Sequence, residues 1–284
     1  MCITGKSYHG FIWTIRSTAI LGVLLLIRTN ASSCQSPSVL GFQLNKIEKY
    51  AYGTWPPSSG FQTAAHPKGI SLDGKLVQLV PMAAEEHAKA LFEANQLDTE
   101  GTNWAYLPYG PFADLKSFHS WVRENQDLED PVFLAIVEKE SGRPLGIASY
   151  LRIHPAEGSI EVGHIHFSPL LQRTTSATES MFLMMQSAFE AGYRRYEWKC
   201  NAPNQASRRA AQRLGFSFEG IFRQMMIVKG RNRDTAWFAA IDREWPALKT
   251  AFERYLDEKN FDEEGKPVTS LSSLTAPLLH KKDV

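Results

Sequence analysis

Residues 159–188, SIEVGHIHFSPLLQRTTSATESMFLMMQSA, decide how the chain is read. Ile160 to Phe167 is rich in β-branched and aromatic residues and stops at Ser168-Pro169, the pattern of a strand. Met181, Met184, Met185 and Ala188 recur at i, i+3, i+4 and i+7, the buried stripe of a helix. Between them lies Gln172 to Thr178, QRTTSAT, small and hydroxylated. The first turn of a helix has backbone N–H groups without intrahelical partners, and the positive end of its dipole lies there, so a strand, loop and helix in this order can hold a phosphate. Ser and Thr are also ordinary N-caps, so the loop alone leaves both readings open.

Upstream, Lys75 to Val80 (KLVQLV) alternates as a strand closed by Pro81, and Glu85 to Ala94 (EEHAKALFEA) reads as a helix with acidic residues in its first turn. Asp114 caps a second helix, DLKSFHSWVREN, striped by Leu115, Phe118 and Val122. Pro131 to Glu138 (PVFLAIVE) and Leu145 to Ile153 (LGIASYLRI), joined by the turn at Ser141 to Pro144, read as a hairpin. Downstream, Tyr193 to Cys200 (YRRYEWKC) reads as a strand and Gln205 to Leu214 as a helix stopped by Gly215. Phe216 to Val228 and Thr235 to Asp242 flank the charged turn Lys229 to Asp234 as another hairpin, and Trp245 to Leu256 is a last helix.

The 284 residues can bury a sizeable core, and 43% hydrophobic with 21% charged residues is an ordinary globular balance. A net charge of +1 gives no electrostatic reason for a nucleic-acid or anionic-membrane partner. Cys2, Cys34 and Cys200 form no CxxC pair and no regular set, so neither a disulfide framework nor a zinc knuckle is supported. A reducing, cytoplasmic compartment is the default. Residues 1–35 form an extension with a short apolar run, Thr18 to Ile27 (TAILGVLLLI), preceded by Lys6 and Arg16. This pattern resembles a secretory signal or short anchor and makes a secreted or membrane-tethered location the alternative. The run falls well short of the roughly 20 residues a spanning helix needs, and the extension is expected not to bear on activity. Residues 36–69, punctuated by Pro37, Pro56, Pro57, Pro67, Gly53, Gly60 and Gly69, read as an extended arm whose aromatics Tyr50, Tyr52, Trp55 and Phe61 dock on the domain C-terminal to it. That domain is expected over 70–256, with a polar mobile tail over 257–284.

Over Lys75 to about Trp245 these residues, in this order, resemble the GNAT superfamily of acyl-CoA-dependent N-acetyltransferases. Within it they are most similar to the branch that acetylates the N-terminal amines of ribosomal proteins and to its uncharacterised relatives. The superfamily's acyl-CoA loop is Gln or Arg, two variable residues, Gly, one variable residue, then Gly or Ala. It matches Gln172-Arg173-Thr174-Thr175-Ser176-Ala177, followed by Thr178-Glu179 as in this branch. The Asn-x-x-Ser pattern with a later Leu-Gly-Phe matches Asn204, Ser207 and Leu214-Gly215-Phe216. Ile160-Glu161-Val162-Gly163 stands where the branch has Glu-aliphatic-Gly. Two positions depart from the pattern. Thr175 replaces the usual glycine, putting a β-carbon where the backbone normally approaches the pyrophosphate, and Ala211 replaces a tyrosine that serves other members as an acid.

The resemblance implies an α/β (α+β) fold with a mixed, mostly antiparallel sheet and helices on both faces. It implies acetyl-CoA as co-substrate, held by Gln172, Arg173, Thr174, Thr175, Ser176, Ala177, Thr178 and Asn204. Pantetheine is then expected between two strands that splay apart, with backbone N–H groups of the strand from Ile165 to Phe167 stabilising the oxyanion. Acetyl transfer to an amine also needs a base for the amine and a proton for the thiolate. Glu161 is the candidate base, directly or through water, with pairing to an arginine such as Arg152 as the structural alternative. Ser207 is expected to supply the proton.

Strand alternation puts His164 and His166 on the face of Ile160 and Val162, with His166 the better alternative base. Two histidines do not make a zinc site, and no metal is expected. Cys200 reads as structural. Trp104 and Tyr106 to Gly110 (YLPYG) either line the acceptor site or clamp another loop. The expected activity is an acetyl-CoA-dependent N-acetyltransferase moving acetyl to a primary amine, on a protein N-terminus or a small molecule, by direct attack. A non-catalytic acyl-CoA-binding or interaction module is the alternative; either would be a monomer or homodimer.

Overall fold

In the computed structural model, which describes residues 60–283, the alternating runs assemble into one eight-stranded sheet. The strands are β1 (Leu72–Asp73), β2 (Val77–Pro81), β3 (Val132–Glu138), β4 (Pro144–His154), β5 (Ser159–Phe167), β6 (Arg195–Asn201), β7 (Ser217–Val228) and β8 (Arg231–Ile241). They lie in the order β1-β2-β3-β4-β5-β6-β8-β7. Chain neighbours joined by short turns pair antiparallel, and only β5 and β6 run parallel. A parallel pair needs a long crossover, which here contains a helix.

The helices are α1 (Ala84–Asn95), α2 (Leu115–Asn125), α3 (Thr175–Glu190), α4 (Gln205–Arg213), α5 (Trp245–Leu256) and a short α6 (Leu271–Thr275). They cover both faces, as expected. On one face the predicted methionine stripe of α3 packs with Phe252 of α5 and Leu214 after α4 onto Ile160, Val162, Tyr196, Trp198 and Phe238. Each such side chain fully buried contributes about 2 kcal/mol. Tyr150 reaches into this core and donates its hydroxyl hydrogen to the Met184 carbonyl at 2.7 Å, so its polar tip is satisfied. On the other face Ala88 and Leu91 of α1 and Phe118 and Val122 of α2 pack with Trp104 onto Phe133 and Ile147. Asp114 caps α2 as predicted, accepting the Ser117 N–H at 2.7 Å. Gly215 ends α4 with φ +89, and a β-carbon there would stand 2.3 Å from Leu248 Cδ2.

The stretch expected to trail as a mobile tail packs on the domain instead, through Asp283. Leu271 and Thr275 are fully buried, and the Thr275 hydroxyl donates to the Arg213 carbonyl at 3.0 Å. The Phe218 N–H donates to the Lys281 carbonyl at 2.9 Å, and Arg208 forms an ion pair with Asp283. Isolated leucines, single side-chain contacts and backbone hydrogen bonds make this anchorage, and none of them leaves a periodic signature. Residues 61–69 dock as well: the N–H groups of Ala64 and Ala65 donate to the carbonyls of Pro155 and Ala191, and Phe61 lies under Arg194. Tyr50, Tyr52, Trp55 and the extension with its apolar run lie outside the described residues. Among the described residues no helix is long and apolar enough to cross a membrane.

Candidate active site

β5 and β6 pair from Ser159↔Arg195 to Val162↔Trp198 and no further. Beyond that, β5 stays with β4 as far as Phe167↔Gly146, while β6 stays with β8 as far as Asn201↔Thr235. The two strands therefore part after Val162 and Trp198. A bulge in β5 accompanies the parting: Gly163 pairs with Ser149 and His166 with Ile147, so β5 spends one more residue than β4, and His164 sits at φ +50. A bulge bends a strand and releases part of its edge.

The bulge overturns one expectation. The extra residue shifts the phase of the side chains, so His164 and His166 do not share the face of Ile160 and Val162. Those two aliphatics pack in the core under α3, whereas His164 stacks on Tyr109 and His166 stacks on Trp104, 3.7 Å between centroids, on the side of α1 and α2. His164 Nδ1 is 3.2 Å from the Tyr109 hydroxyl. Burial pulls the pKa of each imidazole down to about 4, helped at His164 by Arg152 and Arg233, so both rings are neutral at pH 7.

Past the end of β5, Gln172 donates through Nε2 to the Phe167 carbonyl at 2.9 Å and to Asn103 Oδ1 at 2.7 Å, tying the loop to the strand end. Arg173 is exposed, with φ +61. Thr174 is the N-cap of α3: its hydroxyl oxygen accepts the Ala177 N–H at 3.0 Å, and its hydroxyl hydrogen goes to the Leu171 carbonyl. Thr178 bonds back to the Thr174 carbonyl. The N–H groups of Thr175 and Ser176 are left at the first turn without intrahelical partners, beside the dipole's positive end. Thr175 is the first residue of α3 and so has helical backbone, which a β-carbon does not strain.

Across the gap, Asn204 caps α4 by accepting the Ser207 N–H at 3.1 Å. The Ser207 oxygen accepts the Trp198 indole N–H at 3.0 Å, and its hydroxyl hydrogen is within reach of the Cys200 sulfur. Ala211 is fully buried in the core. Cys200 is a buried free thiol whose pKa burial pushes up, as suits a structural residue.

Glu161 lies on the face opposite α3 and is 3% exposed. Its carboxylate is 2.7 Å from the Arg152 guanidinium and 2.9 Å from the Lys199 ammonium. Burial raises its pKa, and the two cations oppose that rise. Lys199 also pairs with Glu197 at 2.7 Å and lies 3.8 Å over the Trp237 ring. Glu197 pairs with Arg195, which pairs in turn with Glu219 of β7. Of this ladder of alternating charge across β4, β5, β6 and β7, sequence reasoning finds only Glu161 and Arg152. A signal exists for the rest: in RYEWKC charged residues alternate with aromatic and thiol ones, marking one charged face and one buried face. Lys229, at the β7–β8 turn, donates to the carbonyls of Trp104 and Gly110 at 3.1 and 2.8 Å, so this hairpin is fastened to the aromatic loop. That loop therefore takes the clamping role of the two expected for it, and through Trp104 and Tyr109 it also walls the two histidines.

Parted central strands with a capped helix end beside them are the arrangement that the GNAT resemblance implies, and the comparisons agree. A family model described as an acetyltransferase (GNAT) domain matches residues 77–217. A GCN5-related N-acetyltransferase from Brucella melitensis is 43% identical, with a TM-score of 0.74 over 76% of this chain and 99% of that one. A probable acetyltransferase of the GNAT family from Chromobacterium violaceum ATCC 12472 is also 43% identical, with a TM-score of 0.64 over 68% and 96% of the two chains. RimL, the ribosomal L7/L12 alpha-N-protein acetyltransferase, shares the fold at 21% identity and a TM-score of 0.52, over 61% of this chain and 94% of its own. No match to a curated protein sequence was found. The chain belongs to the GNAT acetyltransferases, which use acetyl-CoA.

Proposed function

We propose that the protein is an acetyl-CoA-dependent N-acetyltransferase that moves acetyl to a primary amine by direct attack on the thioester. The observation that carries this reading is the parting of β5 and β6 after Val162↔Trp198, with α3 on one face and Glu161 on the other. A thioester lying in that gap has its phosphates toward the N–H groups of Thr175 and Ser176 and meets an acceptor on the charged face. Gln172, Arg173 and Thr174 shape the loop, Ala177 and Thr178 complete its first turn, and Asn204 holds the opposite wall.

Glu161 serves as base, through water, while Arg152 and Lys199 hold its carboxylate in place. Burial moves its pKa toward the working pH, which favours proton acceptance. Backbone N–H groups of the released β5 edge, at Ile165 and Phe167, receive the developing oxyanion. Ser207, its oxygen already accepting from Trp198, passes its hydroxyl proton to the leaving thiolate and regains one from solvent, to which Glu161 delivers the proton taken from the amine, so that the hydroxyl ends neutral. His166 is the alternative base; its Nε2 is buried without a partner.

The test is thiol release from acetyl-CoA with a panel of primary amines, together with melting of the purified protein. Acetyl-CoA is expected to raise Tm, because a ligand that binds only the native state stabilises it. No shift at millimolar acetyl-CoA would remove the co-substrate. Occupation of the Glu161 carboxylate by two cations favours a second reading, an acyl-CoA-binding module without turnover. A Tm shift with no thiol release across the panel identifies it.

A further inference from the structure

β8 presents Arg233, Thr235 and Trp237 at alternate positions, and the Lys199 ammonium over the Trp237 ring shows that this is the charged face of the sheet. β6 ends opposite Thr235, so Arg233 lies beyond the end of β6, where the sheet has opened. The other cations of this face are paired: Arg152 and Lys199 with Glu161, and Arg195 with Glu197 and Glu219. Arg233 differs. It is partly buried, its Nε is shut off from water without a hydrogen-bond partner among the described residues, and Glu161 acts on it only from beyond ion-pair distance. Thr235 Oγ1 and Trp237 Nε1, on the same face, are also buried without partners.

Taking a guanidinium out of water without an anion is unfavourable, and a folded chain retains the arrangement where a ligand completes it. The planar guanidinium fork matches a carboxylate or phosphate through two parallel hydrogen bonds. The Trp237 N–H and the Thr235 hydroxyl are further donors. Arg152, its side chain 44% exposed, extends the positive rim. Since α3 packs on the opposite face, Arg233 faces the acceptor's side of the gap and not the donor's phosphates.

We propose that Arg233, with Arg152 at the rim, binds an anionic group of the acceptor, so that the substrates are amines carrying a carboxylate or phosphate. The inference rests on the acetyltransferase reading for the word acceptor, and on the unpaired cation for the anion.

Matched acceptors test it: β-alanine against its amide, and phosphoethanolamine against ethanolamine. The wild type is expected to favour the anionic member of at least one pair by tenfold or more in kcat/KM, and the pair favoured distinguishes carboxylate from phosphate. Arg233→Met should cut that preference at least tenfold, through KM, and Arg233→Lys should restore part of it. The Tm of unliganded Arg233→Met should not fall, whereas loss of a structural arginine would lower it. Malonate and inorganic phosphate provide a readout without turnover: at least one should raise the Tm of the wild type and not that of Arg233→Met. Equal preference for neutral and anionic amines, or an anion-induced Tm shift that survives Arg233→Met, overturns the proposal. Absence of thiol release with every amine, alongside a Tm shift that depends on Arg233, would instead overturn acetyl transfer and leave the anion site standing.

Discussion

Glu161 and Glu179 are both buried carboxylates, 3% and 5% exposed, and they are held in opposite ways. Glu179, in α3, accepts the backbone N–H groups of Lys75, Leu76 and Val77 at 2.9, 2.7 and 2.9 Å, locking the β1–β2 turn to the helix. Gly74 belongs to the same fit, because a β-carbon there would stand 2.6 Å from Glu179 Oε2. Glu161 is held instead by the ends of two long side chains, Arg152 and Lys199, beside the gap between β5 and β6. Backbone donors cannot leave without unfolding the turn, whereas side-chain cations can shift when a substrate arrives. Burial of a charge therefore does not mark chemistry by itself; the kind of donor around it does.

Removing the Glu179 carboxylate should cost the fold most. Glu179→Ala strips three buried N–H groups of their acceptor and should destabilise the fold by roughly 4 kcal/mol, read from urea unfolding. Glu179→Gln should rescue little, because one end of the amide is a donor facing donors. At the other carboxylate, Glu161→Gln is expected to lower turnover about 100-fold, the size of a general-base contribution, while the acetyl-CoA Tm shift persists. A fully active Glu161→Gln enzyme would assign the base elsewhere, with His166 next in line.

The histidines beside Glu161 make the stability of this face depend on pH. Their folded pKa values of about 4 lie below the ordinary 6.5, so the unfolded chain binds protons first as pH falls. The stability this provides is complete above pH 6.5 and is lost progressively toward pH 4, by roughly 2 kcal/mol for each ring. Urea unfolding at pH 7 and pH 4.5 measures it. The double variant His164→Gln with His166→Gln should flatten the dependence, and an unchanged slope would mean that other groups carry it.

Much of the fold was legible because alternation and turn residues mark it locally. The strand read as Leu145 to Ile153 is Pro144–His154, and the helix read as Gln205 to Leu214 is Gln205–Arg213. What escaped depends on partners distant in sequence or on backbone geometry. Glu179 meets backbone donors some hundred residues away, and backbone groups carry no residue-type signal. The bulge at His164 has no glycine at its positive-φ residue, so strict alternation was the natural reading and it misplaced both histidines. At the site, the helix end and the Asn204–Ser207 cap were legible as a motif, while the pairing of Lys199 with Glu161 and the isolation of Arg233 required the strands to be laid side by side.

At the N-terminal end of α3, which neither carboxylate touches, a substitution should change little. Thr175 stands where the motif has glycine, yet it opens a regular helix, and its β-carbon imposes no backbone strain. Thr175→Gly should therefore change unliganded stability by only about 0.5 kcal/mol, the difference in helix propensity. If the β-carbon holds a phosphate away from the N–H groups of Thr175 and Ser176, the glycine variant binds acetyl-CoA a few-fold more tightly. If the Thr175 hydroxyl supplies a hydrogen bond of its own, the variant binds a few-fold more weakly. The geometry favours the first outcome: Thr174 already caps the helix, so the threonine hydroxyl at 175 is not needed to hold the loop. Isothermal titration with acetyl-CoA decides between them, and tighter binding would show that the departure from the motif tunes the site without abolishing it.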